Sequence, residues 1–62
     1  MEILFFDKEM NLLAETQCNI RPIVGDNIFI KDKNYEVKSV LWNVKKISEK
    51  TFLVVNVQET TN

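Results

Sequence analysis

Apolar and polar residues alternate along most of this chain, and the places where the alternation fails mark its turns. Residues 2–6 read as a first strand with Ile3 and Phe5 on one face and Leu4 and Phe6 on the other, so both faces are apolar. Asp7-Lys8-Glu9-Met10-Asn11 is a polar connector with turn-forming residues at either end. Beyond it Met10, Leu12, Ala14, Thr16, Cys18 and Ile20 alternate with Asn11, Leu13, Glu15, Gln17, Asn19 and Arg21, which predicts a second strand with Leu13 as its one exception. The same region also holds good helix formers behind Asp7 as a cap, and a helix over residues 8–18 would make the fold α+β.

Pro22 cannot donate to a sheet ladder and Gly25 can take a positive φ, so residues 21–26 read as a diverging loop. A short strand follows in which Ile28 and Ile30 oppose Phe29, and Asp32-Lys33-Asn34 is expected to turn the chain, with Asn34 in the left-handed region. Tyr35 and Val37 then share a face, but Val40, Trp42 and Val44 are out of phase with them by one residue. A β-bulge near Lys38-Ser39 restores the phase and buries Trp42; without it, Trp42 projects outward as an anchor for a partner. Ser48-Glu49-Lys50 reads as the last turn, and residues 52–58 as the most β-prone strand, with Leu53, Val55 and Val57 together. The expectation is an all-β fold: one small five-stranded antiparallel β-barrel over residues 1–62, with a frayed polar tail at 59–62.

Composition narrows the classes of function. With 62 residues, one Cys and no His, the chain holds neither a disulfide nor the commonest metal ligand and acid–base group, so a compact core or a partner must supply stability. A lone thiol suits a reducing cytoplasm, and no apolar run is long enough for a signal peptide or a membrane span, which points to a cytoplasmic protein. The formal net charge is −1, with acid concentrated in residues 1–27 and six lysines in residues 28–50. In a closed barrel such segments interleave and largely cancel.

The phrase Pro22-x-Val24-Gly25-Asp26-x-Ile28-x-Ile30, followed by Tyr35-x-Val37-x-x-Val40, resembles the opening hairpin of SH3-like small β-barrels, over about a third of the chain. With the Phe5-Phe6-Asp7-Lys8 hairpin and the overall length, the chain is also similar in style to short single-barrel proteins of bacteriophages and prophages. That resemblance implies an SH3-like barrel and a phage accessory that docks on a host or virion protein, active in the host cytoplasm. It carries no functional residue with it.

Catalysis is disfavoured, because carboxylates such as Asp7, Glu9, Asp26 and Asp32 fall in turns, and a single glycine cannot build a phosphate-cradling loop. No catalytic residue, metal or cofactor is expected. Two binding functions remain. Apolar residues in excess of what one small core can cover suit a protein partner or a homo-oligomer, with Phe29 and Trp42 as anchors and Lys31, Lys33, Lys45 and Lys46 as a basic rim. The alternative is a single-stranded nucleic-acid binder that stacks bases on Phe29 beside Lys31, with Lys33, Lys38, Lys45 and Lys46 extending the surface that neutralises phosphates.

Overall fold

Ile3 and Phe5 leave the first strand on one side, and the packed interior of the molecule gathers on that side. The computed structural model describes residues 1–45 and 50–60 and holds five strands. These are β1 (Glu2–Phe6), β2 (Leu12–Gln17), β3 (Asn27–Ile30), β4 (Lys33–Lys45) and β5 (Lys50–Glu59). They form one sheet in the order β2-β1-β5-β4-β3. Residues 8–18 contain no helix, so the α+β alternative falls.

The all-β expectation holds, but the closed antiparallel barrel does not. β1 and β5 run parallel, and the sheet is an open half-barrel whose edges are β2 and β3. The reason is topological. Two locally antiparallel units, β1–β2 and β3–β4–β5, join through the first and last strands, and the chain from β2 through β4 is the long connection that a parallel pair requires. That loop bridges the mouth between the two edges. Ile20, Arg21 and Pro22 of the loop line one groove together with Ile3 and Phe5 of β1 and Ile28 of β3.

The core lies on the concave face. Ile3, Phe5, Ile30, Tyr35, Val37, Leu53, Val55 and Val57 are buried there, with Leu13, Ala14, Cys18, Ile28 and Val40 packed against them. Both one-residue breaks in the alternation are bulges. In β4 the register steps from Val37↔Val57 to Ser39↔Asn56, leaving Lys38 unpaired and bringing Val40 and Trp42 onto the face of Val37. In β2 it steps from Ala14↔Phe5 to Leu12↔Phe6, so Leu13 turns inward and Leu12 falls on the convex face. The second bulge explains why Leu13 breaks the sequence pattern. It also separates Leu12 from Ala14, which simple alternation puts on one face.

One turn departs from expectation. The β3–β4 hairpin turns at Lys31 and Asp32, with φ of 50° and 66°, and β4 begins at Lys33. Two successive positive φ values are what a two-residue loop needs to match the twist of its strands, so Asn34 is left in the strand rather than in the turn. The expected turn at Ser48-Glu49-Lys50 lies outside the described residues, apart from Lys50, which opens β5. At the other end of β5, which runs to Glu59, Thr60 donates its backbone N–H to the Asn34 carbonyl at 2.9 Å.

Gly25 sits at the third position of a turn closed by the Asp26 N–H on the Ile23 carbonyl, with φ of 98°. A Cβ there meets nothing within 4 Å, so a substitution tests backbone conformation alone. Gly25→Ala should destabilise the chain by about 1–2 kcal/mol, read as a lower urea midpoint with an unchanged m-value. An unchanged midpoint would show that the turn does not hold this conformation in solution.

The β1–β2 connection is held by Asp7. Its Oδ1 accepts N–H bonds from Asn11 at 2.9 Å and Glu9 at 3.0 Å, and its Oδ2 accepts the Asn11 side-chain amide at 3.1 Å. The Asn11 backbone bond is the largest cause of a pKa below the ordinary 3.8, with the Asn11 side-chain and Glu9 bonds adding to it against partial desolvation. A lowered folded-state value means that the stabilisation is complete above the ordinary carboxylate pKa and is lost as pH falls through the lowered one. In an NMR acid titration the Glu9 and Asn11 amides should therefore move together below pH 3.8. Asp7→Asn should abolish that transition.

Candidate functional site

Trp42 stands opposite Leu53 on the concave face, as the bulge requires, yet it is 50% exposed. The bulge alone does not bury it. β3 is only four residues long, and its ladder with β4 ends at Asn27↔Glu36. Gly25 and Asp26 extend the contact by one residue, through N–H and C=O bonds to Val37, and then the chain turns away. Trp42 thus sits on the core-facing side but past the last strand that could cover it. The simple choice between buried and outward is replaced by a third state, a half-covered ring at the rim.

The cover it does have is a cation. The Arg21 guanidinium carbon lies 5.1 Å from the centroid of the indole. At an exposed site this contact contributes roughly 0.5–1 kcal/mol, which is sufficient to bias both side chains toward one arrangement. Beside the pair, Arg21, Pro22, Ile23, Val24 and Val40 line an open groove of about 430 Å³. Ile23 is 67% exposed and Val24 61%, large values for aliphatic side chains that sit side by side. The loop conformation explains them. The Ile23–Asp26 turn, reinforced by the Ile23 N–H on Asp26 Oδ2 at 2.9 Å, points both aliphatic residues away from the core.

The residues singled out from the sequence do not converge. Phe29 is 65% exposed and leaves β3 opposite to Ile28 and Ile30, on the convex face, whereas Trp42 is on the concave one. They cannot contact one flat partner surface together. Lys31 belongs to the hairpin turn, and Lys33 stands opposite Ile30 with its Nζ 3.7 Å from Glu59 Oε1. Lys45 ends β4, and Lys46 lies outside the described residues.

Arg21, Ile23 and Val24 were not singled out in the sequence. The signal was present in part, since Ile20, Ile23 and Val24 place three aliphatic residues in a segment that Pro22 and Gly25 mark as a loop.

The convex face carries a second apolar surface. Leu41, Val54 and Leu4 form one cross-strand row and Phe6 and Leu12 stand on the next, with Leu41 58% and Leu12 51% exposed. Glu2 of β1 and Glu15 of β2 lie on one side of β5, and Lys33, Lys38 and Lys45 of β4 on the other, with Glu36 among them; β3 carries no charge. Part of the charge asymmetry is offset on folding, because Asp7 and Glu9 of the β1–β2 turn line one groove with Lys33, and Lys33 and Lys38 pair with Glu59 and Glu36.

Among the described residues no group of three His, Cys, Asp or Glu side chains is placed to hold a metal ion, and no helix is long and apolar enough to cross a membrane. Cys18 is half-buried against the core, its Sγ accepting the Ile20 N–H at 3.3 Å. Comparison of the chain with protein-family models, curated proteins and solved structures found no match.

Proposed function

We propose that this chain is a non-enzymatic protein-interaction module whose binding surface is the Trp42 rim. The observation that carries the reading is the half-exposed Trp42, stacked with Arg21 and continuous with the Ile23–Val24 groove. Tryptophan and arginine are the residues most enriched at binding hot spots, and such anchors work best beside a pocket that loses its water on contact. Phe29, far from this cluster and on the other face, is a secondary contact at most in this reading. The resemblance to short phage proteins supports a phage-encoded accessory that docks on a host or virion protein in the host cytoplasm.

The test is affinity capture by the intact chain from extract of its native host, with Trp42→Ala and Phe29→Ala in parallel. The expected result is prey that Trp42→Ala loses and Phe29→Ala retains. Prey retained by Trp42→Ala would remove this surface from consideration.

A further inference from the structure

We infer that the partner binds as an extended acidic segment that adds a strand to the open edge of β4, in the line that β3 abandons. The inference rests on the reading of the Trp42 rim as a protein-binding surface and specifies what occupies it.

Val37 faces the core, and its N–H and C=O bond outward to Asp26 and Gly25, both at 2.9 Å. In a strand of L-residues the face taken by a side chain fixes the edge toward which that residue's own N–H and C=O point. Val40 and Trp42 share the face of Val37, opposite Val55 and Leu53, so their backbone groups point to the same edge. Among the described residues no backbone group meets them there, since the partners of β4 on that side end at Val37.

Two features choose the occupant. The edge run from Lys38 to Lys45 contains two lysines and no carboxylate, Lys38 being paired with Glu36 at 3.4 Å, and Arg21 stands beside the run on the Trp42 ring. Edge lysines are also a device that keeps sheets from pairing with copies of themselves, and two such basic edges repel one another. The charge that deters self-pairing is the charge that favours an acidic strand. The groove of Pro22, Ile23, Val24 and Val40 flanks the same edge and accepts apolar side chains from alternate positions of the added strand.

Selection of random linear peptides on the intact chain tests this. The expected peptides alternate apolar residues and carry Asp or Glu. A synthetic copy should change the emission of the single tryptophan and slow hydrogen exchange at the Val40 and Trp42 amides about tenfold or more. Methylating alternate backbone nitrogens of that peptide should weaken binding at least ~10-fold, and replacing its acidic residues by lysine should do the same.

Selected peptides without an acidic bias, the absence of any selected peptide, or equal binding by the N-methylated copy would overturn the inference. So would an oligothymidylate that displaces the peptide, or self-association that protects the same amides with no peptide present. If capture from extract depends on Trp42 while peptides fail, strand addition is wrong and the binding surface stands. If capture ignores Trp42, the surface itself is wrong.

Discussion

Leu53→Ala is expected to leave most of the chain unfolded at room temperature. Leu53 has no exposed surface and stands in β5 between Ile3 of β1 and Trp42 of β4, so it is the residue through which the two antiparallel units meet. Truncating a fully buried leucine whose cavity cannot collapse costs about 5 kcal/mol, through lost burial and through the cavity left behind. A core of this size rarely supplies more than about 3–5 kcal/mol in total, with no disulfide to constrain the unfolded chain. The cavity cannot collapse easily, because both neighbouring strands are held by their own ladders. Far-UV circular dichroism in a urea titration should show the folded baseline almost gone. Leu41→Ala, a change of the same size at a 58% exposed convex position, should cost less than about 1 kcal/mol. Equal effects of the two would contradict the placement of the core on the concave face.

The second large effect is on binding rather than folding. Trp42→Ala should weaken the partner complex by at least ~2 kcal/mol, about thirtyfold, while the variant remains folded. The folding cost is smaller than for Leu53 because half of the ring is already in water, and the lost Arg21 contact adds only about 0.5–1 kcal/mol. Arg21→Ala should reproduce part of the affinity loss, since it frees the indole from its stacked position without removing it. Isothermal titration with the captured partner separates the effects, with an NMR spectrum of each variant as the check on folding. A Trp42→Ala variant that binds like the wild type would end the proposal.

Much of the fold was legible in local patterns. The pairs Ile3–Phe5 and Ile28–Ile30 and the triplet Leu53–Val55–Val57 could be assigned to one face, because alternation in a strand is a property of adjacent residues. The bulge at Lys38 was legible for the same reason, as a break of phase between two apolar runs. The bulge at Leu13 was visible only as an exception, since its meaning depends on Phe5 and Phe6 across the ladder. Of the candidate site, Trp42 was found and its surroundings were not. Arg21 and Trp42 are distant in sequence and meet only because the loop over residues 18–26 spans the mouth of the half-barrel.

By itself, then, the sequence determined the strands other than β2, the facing of most core residues, the loop at Arg21 to Asp26 and the separation of acid from base along the chain. Each of these depends on neighbours within a few positions, where sterics and alternation decide. Only the tertiary structure decided that β1 and β5 run parallel, that the sheet stays open and that Trp42 is half covered. Those outcomes follow from which strand ends lie beside which, and from a β3 too short to reach the tryptophan that the bulge turns inward.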